Sequence, residues 1–586
     1  MISALKEDSE KKAKRIVVDL SSIQSNVKIL HEKGIEKYSM EDEKKIKDLL
    51  LNLISVQSDT GTVLEKDIEK YIYEWLHKLE YFQSNTNNLG CYLLKNDALE
   101  RAVVWALIKG NGRKTVILVN HHDVVDSYDY QILRDYAYHP GLLKDILKNV
   151  ELEKEVKDDL ISRDWIFARG SADMKAGIAI QLSLIEKFSK QQNFDGNILF
   201  ISVPDEESLS LGMRNSVELL EKIKNIFDLD YTILIDSEPH QKEENNAGVF
   251  HTGSVGKLMP VVYVRGKKTH IGDIFQGFNP IVLLSQIVSA TELNTDLSDV
   301  VDDEVSPPPS WSFFRDEKKC YDASIPESAG GYFSILTLKR TPKIILDQLL
   351  EISKQAFANV ICRMNENYSN YLHKRSQTQH KLPWEINVKT FLQIYNEAIS
   401  VSGNEFLEDY YLTIDKLKID IKNNVISIPA SNLVIISKTL EYIADKTPMV
   451  VLAFSPPYYP HVSIDDFKVL DKSVSDIDKV VISFANQVCN EIYIKKNYFM
   501  GISDMSYTSL NESEDIIPYI QSNMPLWKNM YDISFEALKR LAIPSVNIGP
   551  CGKDMHKFTE RVLEKDVIRQ TPKLIIGVIK HILKND

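Results

Sequence analysis

Short apolar runs that end in histidine, aspartate or glutamate recur along this chain. Thr115-Val116-Ile117-Leu118-Val119 leads into Asn120-His121-His122-Asp123, and Ile198-Leu199-Phe200-Ile201-Ser202-Val203 into Pro204-Asp205-Glu206-Glu207. Tyr231-Thr232-Ile233-Leu234-Ile235 leads into Asp236-Ser237-Glu238-Pro239. A fourth run, Pro544-Ser545-Val546-Asn547-Ile548, precedes Gly549-Pro550 and then His556. Unbroken apolar stretches of this length suit strands buried on both faces. Apolar residues at helical spacing occupy 41–54, 64–79 and 178–188, so strand, loop and helix alternate up to about residue 239. That order predicts a parallel sheet covered by helices. In such sheets ligands gather beyond the carboxyl ends of the strands.

From Gly253 onward the pattern changes. A strand is predicted over 258–264, a helix over 280–293, an acidic and proline-rich loop over 296–309, a strand over 334–339 and a long helix over 342–364. This order suits a small inserted layer of strands backed by helices, with the polar stretch 368–443 as its elaboration. Met449-Val450-Val451-Leu452-Ala453-Phe454 reads as a buried strand returning to the main domain. The expected architecture is α/β: a mixed, mostly parallel sheet flanked by helices, plus an inserted α+β domain. The discontinuous main domain takes 41–252 and 447–586, the insert takes 253–446, and 1–40 forms an N-terminal helical extension.

Composition narrows the function. With 44% hydrophobic and 26% charged residues the chain is globular, and a net charge of -13 argues against nucleic acid or an anionic membrane as partner. The five cysteines show no CxxC spacing, which suits a reducing compartment. No signal peptide or membrane-length apolar run is seen, so a cytoplasmic location is expected.

The strand-end residues carry the candidate chemistry. His121 offers an imidazole to a metal and Asp123 can orient it; a histidine pair that merely caps a strand is the alternative. The small-residue loop Arg169-Gly170-Ser171-Ala172-Asp173-Met174-Lys175 places Asp173 where one carboxylate could bridge two cations, or where it serves as a helix cap. Glu206 and Glu207, adjacent in an extended segment, point opposite ways, so one can bind metal while the other faces substrate. Acidic residues at a helix start are also ordinary dipole partners. Asp236 and Glu238 are alternative ligands after the third run, and His556 is a late candidate. Cys551 reads as a packed residue rather than a metal-proximal thiol.

Taken together, His121-His122-Asp123, Arg169 to Lys175, Asp205-Glu206-Glu207, Glu238-Pro239 and Gly549-Pro550 with His556 and Glu560 resemble the two-zinc amidohydrolase and exopeptidase family. That family includes acetylornithine deacetylase, succinyl-diaminopimelate desuccinylase, aminoacylase and glutamate carboxypeptidase. Length, the Ser455-Pro456-Pro457-Tyr458-Tyr459-Pro460 segment and the large insert are most similar to its RocB-type arginine-utilisation members. The resemblance implies a zinc-peptidase-like main domain and a lid domain. It implies two divalent metal ions, zinc before cobalt or manganese, one held by His121, Asp173 and Glu238 and the other by Asp173, Glu207 and His556. It further implies a metal-bridging water as nucleophile, Glu206 as general base, and a homodimer formed through the lid. Asp236 stays open as the alternative to Glu238.

Within the insert, Gly253 to Lys257, Val264 to His270 and Gly277 to Pro280 resemble the start of the lid. There the resemblance gives His270 an oxyanion-stabilising role, often across a subunit boundary, and Asn279 a substrate contact. Gly501, Ser503 and Asp504 resemble the substrate-side segment. Ser506 stands where relatives commonly carry an arginine, the usual fork for a substrate carboxylate. The expected function is therefore metal-dependent hydrolysis of a linear amide, an N-acyl amino acid or small peptide, in amino-acid catabolism. The alternative is a regulatory protein that kept the fold and metal site but binds a metabolite without turning it over. Magnesium-dependent phosphoryl transfer fits less well, because imidazole ligands favour zinc.

Overall fold

A computed structural model of the chain describes residues 39–191, 193–318, 320–510 and 516–584. The expected extension over 1–40 falls almost wholly outside them. The strands are β1 (Leu89–Leu93), β2 (Ala102–Lys109), β3 (Asn111–His121), β4 (Asp195–Val203), β5 (Asp230–Asp236), β6 (Gly248–His251), β7 (Gly256–Arg265), β8 (Ser310–Asp316), β9 (Ser328–Thr337), β10 (Val388–Thr390), β11 (Met449–Tyr459), β12 (Tyr493–Lys496) and β13 (Ser545–Asn547). Some very short strands are left unnumbered.

An eight-stranded mixed sheet runs in the order β1-β2-β4-β3-β5-β13-β6-β12. Its four central strands, β4, β3, β5 and β13, are mutually parallel, so their carboxyl ends share one edge. Those are the four runs singled out by their terminal His, Asp or Glu. The β3 strand shows why they read as continuous apolar stretches. Val116 and Leu118 enter one core, Ile117 and Val119 the other, and all four are fully buried. Strand alternation sends successive side chains to opposite faces, and helices cover both. Helices Met40–Ser55, Lys175–Ser189 and Thr571–Leu583 pack on the first face, and Leu211–Phe227 on the second. Each such side chain contributes on the order of 2 kcal/mol of burial.

A second sheet, β8-β9-β7-β11-β10, is built inside the insert. Here the structure corrects the sequence reading. Met449–Tyr459 pairs antiparallel with β7 along nearly its whole length, so it completes the inserted sheet instead of returning to the main one. The return comes later, with β12 and β13. The polar stretch before β11 forms two ordered helices, Phe391–Lys422 and Ile428–Glu441, whose apolar faces make a separate core with β7 and β11. Among the described residues, no helix is long and apolar enough to cross a membrane.

Candidate active site

The carboxyl edge of the main sheet gathers the predicted residues. His121, the last residue of β3, puts Nε2 3.1 Å from Asp173 Oδ1 and 3.3 Å from Glu238 Oε1. His556 puts Nε2 3.2 Å from Asp173 Oδ2 and 3.0 Å from Glu207 Oε2. Asp173 therefore faces one imidazole with each oxygen. Two donor clusters result, His121-Asp173-Glu238 and Asp173-Glu207-His556, each with its ligand atoms within 4.8 Å of one another. Asp236, the alternative to Glu238, is otherwise engaged: Oδ2 accepts the Ser503 hydroxyl at 2.6 Å and Oδ1 the Ser237 N–H at 2.8 Å.

Electrostatics distinguish this cluster from ordinary ion pairs. Burial, with neighbouring carboxylates adding to it, pushes Glu206 and Glu238 well above the usual carboxylate range, and Glu207 up to about 7. Burial opposes charge on Asp173 as well, but His121 and His556 hold it below its ordinary value. His121 is driven up because Glu238, Asp123 and Asp173 together outweigh its own burial. For half-exposed His556 the hydrogen bonds to Asp173 and Glu207 dominate and push it up to about 11. So many acids in one buried place need cations, and two imidazoles are too few. Oε1 of Glu206 and Oε1 of Glu207 are also buried without a hydrogen-bond partner. The nitrogen and oxygen donors, the shared carboxylate and the orphaned oxygens all fit a pair of divalent ions.

Surrounding residues set the geometry. Asp123 accepts the backbone N–H of Glu206 and of Glu207, each at 3.1 Å. His121 Nδ1 lies 3.0 Å from the Asp123 backbone carbonyl and 3.6 Å from its carboxylate. Glu560 holds the loop that presents Asp173: Oε1 accepts from Ala172 and Asp173 N–H, and Oε2 from Gly170 N–H and the Arg169 guanidinium. Asp205 occupies the left-handed region at φ 70°, a conformation uncommon outside glycine. It is fixed there by Arg101 at 2.8 Å and by Glu65, which accepts its N–H at 3.0 Å. From the inserted sheet, Tyr459 brings its hydroxyl 3.5 Å from the Glu206 carbonyl and 3.1 Å from Ser210.

The remaining sequence candidates divide. Asp504 is buried beside the cluster, both carboxylate oxygens lacking a hydrogen-bond partner, and burial pushes it up to about 8. Ser503 joins through Asp236, whereas Gly501 is exposed. Ser506 is buried and donates to the Val255 carbonyl at 3.4 Å, so it offers no substitute for an arginine fork. His270 is exposed in the insert, where Nδ1 accepts the Gly272 N–H. Asn279 caps helix Pro280–Thr291 through Ile281 N–H. Among the described contacts neither residue meets the acidic cluster. The sequence reading missed Arg101, Glu65 and Tyr459. Their only signal is that a charged or hydroxyl-bearing residue sits next to apolar runs.

Comparison with known proteins agrees with this geometry. The pattern of Peptidase family M20/M25/M40 matches residues 145–525. The chain is 29% identical to Protein RocB of Bacillus subtilis over 86% of its own length and 89% of the relative's. It is 31% identical to YqjN of the same organism over 86% and 90%. The fold matches a tripeptidase from Staphylococcus aureus with a TM-score of 0.50 at 14% identity, covering 93% of this chain and 99% of the other. With the family's pattern over residues 145–525 and the fold matched over 93% of the chain, this protein belongs to Peptidase family M20/M25/M40 and is a hydrolase of amide bonds.

Proposed function

We propose that the protein is a two-metal hydrolase that cleaves a linear amide, an N-acyl amino acid or a small peptide. His121, Asp173 and Glu238 would hold one divalent ion, and Asp173, Glu207 and His556 the other. The observation that carries this reading is Asp173, with one oxygen toward each imidazole. Zinc suits the donor set best. Bound there, the two ions would supply Lewis acidity and make water acidic enough to attack near neutral pH.

Glu206 is the general base in this reading. Its carboxyl is buried, Oε1 lacks a partner, and its raised proton affinity favours taking a proton from water and passing it to the leaving amine. Asp123 keeps that carboxyl in place through the backbone of its loop. The insert acts as a lid, with Tyr459 as its contact to the Glu206 loop, and His270 would serve a neighbouring subunit in a lid-mediated dimer. An acid at Asp504 whose oxygens lack a hydrogen-bond partner, and no arginine at Ser506, support a substrate bearing an amine or guanidinium over one anchored by a carboxylate.

The test is amine release from N-acyl-arginine, N-acyl-ornithine and dipeptides, with zinc, cobalt or manganese added. A Glu206→Gln variant, with its metal content measured, runs alongside. Turnover by wild type, with a metal-replete but inactive variant, is expected. Loss of metal together with activity would overturn the base assignment. Silence of the wild type with both ions bound would overturn the proposed substrate class.

A further inference from the structure

A third donor cluster lies behind the site, and the two proposed metal positions do not use it. His240, Cys551 and Asp566 are all buried, with exposures of 2%, 1% and 0%, and an imidazole nitrogen, Sγ and one carboxylate oxygen lie within 4.8 Å of one another. Buried polar atoms are nearly always hydrogen-bonded. Here Nε2 of His240 and Oδ1 of Asp566 both lack a partner.

Two of the donors are also held from behind. His240 Nδ1 lies 3.0 Å from the Gly549 carbonyl, an acceptor only, so Nδ1 carries the hydrogen and Nε2 keeps its lone pair. A backbone carbonyl on the far nitrogen is the usual support of a metal-bound imidazole. Asp566 accepts the Cys551 N–H with Oδ2 at 3.1 Å, which leaves Oδ1 free. The backbone makes the cluster compact: His240 N–H donates to the Pro550 carbonyl and Gly552 N–H to the His240 carbonyl. Lys242, whose charge acts on both Cys551 and Asp566, has Glu491 3.7 Å away to balance it.

We propose that His240, Cys551 and Asp566 bind a third, structural metal ion of the zinc class. Thiolate, neutral imidazole and carboxylate are the ligands that such an ion selects. Thiolate and carboxylate together match its double positive charge. The bond to sulfur forms as the thiol loses its proton to solvent, with no change of oxidation state. Burial, with the Asp566 carboxylate adding to it, pushes that thiol up to about 12, so the apo site holds a neutral thiol and binding releases a proton. Ligand atoms around tetrahedral zinc lie roughly 3.5 Å apart, so small side-chain rotations would bring the three donors onto one ion, with the fourth position left to water or a further ligand.

The position gives the ion a task. It would tie the segment just beyond Glu238 to the loop that leads into His556, and both to the turn before helix Thr571–Leu583. One proposed ligand of each catalytic ion is thus set by the same clamp.

The test is spectroscopic and independent of turnover. The two clusters around Asp173 contain only nitrogen and oxygen donors, so sulfur ligation reports on the third site alone. Full-length protein loaded with cobalt(II) should show a thiolate-to-metal charge-transfer band in the near ultraviolet. A Cys551→Ser variant should lose that band and one metal ion per chain. Zinc-edge X-ray absorption of the wild-type protein needs no variant, and should show a Zn–S distance of about 2.3 Å. A purely nitrogen and oxygen shell, or a cobalt band that survives Cys551→Ser, would overturn the proposal.

Discussion

Asp123 Oδ1 accepts the backbone N–H of Glu206 at 3.1 Å, and the same carboxylate accepts that of Glu207 through Oδ2. One buried side chain thereby fixes the loop carrying both glutamates, while its own backbone carbonyl lies against His121. The strand that ends in His121 and the loop after β4 are locked in register at the point where chemistry is proposed.

Asp123→Ala should therefore lower kcat about 10- to 100-fold, with KM changed much less. Asp123→Asn keeps one acceptor oxygen and should fall between wild type and alanine. Steady-state kinetics on the best amide substrate, with metal content checked, decide it. An unchanged kcat in the alanine variant would rule out the anchoring role.

Glu560 acts at a distance on Asp173. Its carboxylate takes three backbone N–H groups and the Arg169 guanidinium, all within a buried loop. Glu560→Gln presents an amide donor to those donors and leaves Arg169 with Asp129 as its remaining counter-charge. A loss of about 1–3 kcal/mol in stability is expected, with metal affinity weakened about 10- to 100-fold. Urea unfolding and competition with a chelating dye measure the two effects separately.

The main sheet was legible because its central strands are buried on both faces and end in residues that ordinary strand ends do not collect. Pairwise placement was not. Met449–Tyr459 is apolar throughout, and nothing in such a run says which sheet it joins; the partner, β7, lies nearly two hundred residues away. The resemblance supplied the donors His121, Asp173, Glu207, Glu238 and His556, and the fold brings them together. His270 and Asn279 were reached by resemblance too, yet within this chain they serve a turn and a helix cap. Supporting charges such as Arg101 have no periodic signature, because their partners come from Asp97, Glu65 and Asp205.

That Arg101 node yields a stability prediction. Arg101 is 4% exposed and its guanidinium pairs with three acids, while burial pushes Glu65 up to about 9 even in its presence. Arg101→Met would leave Asp97, Glu65 and Asp205 facing one another without a cation. A cost of about 3–5 kcal/mol is expected, because an uncompensated buried charge costs more than the pair was worth. Glu206 follows Asp205 directly, so activity should drop along with the urea midpoint. A midpoint unchanged within error would mean that the three acids are held by other means.

Acid sensitivity should trace in part to His251, on β6. The ring is 7% exposed, lies edge-on to Phe499 at 5.2 Å, and has Nδ1 without a partner. Burial, with small contributions from His240 and Lys496, pushes it from 6.5 down to about 3. The unfolded chain therefore binds a proton that the folded chain refuses between pH 6.5 and about 3, and stability must fall as pH drops through that window. At about 1.4 kcal/mol per unit, the penalty is of the order of 4 kcal/mol at the acid end. His251→Phe keeps the aromatic packing and removes the proton site. The variant should match wild type near pH 7 and lose stability more slowly on acidification, with the slope reduced by about one proton. Urea midpoints at pH 7, 5 and 4 test this; parallel curves for the two proteins would show that His251 is protonated in the folded state.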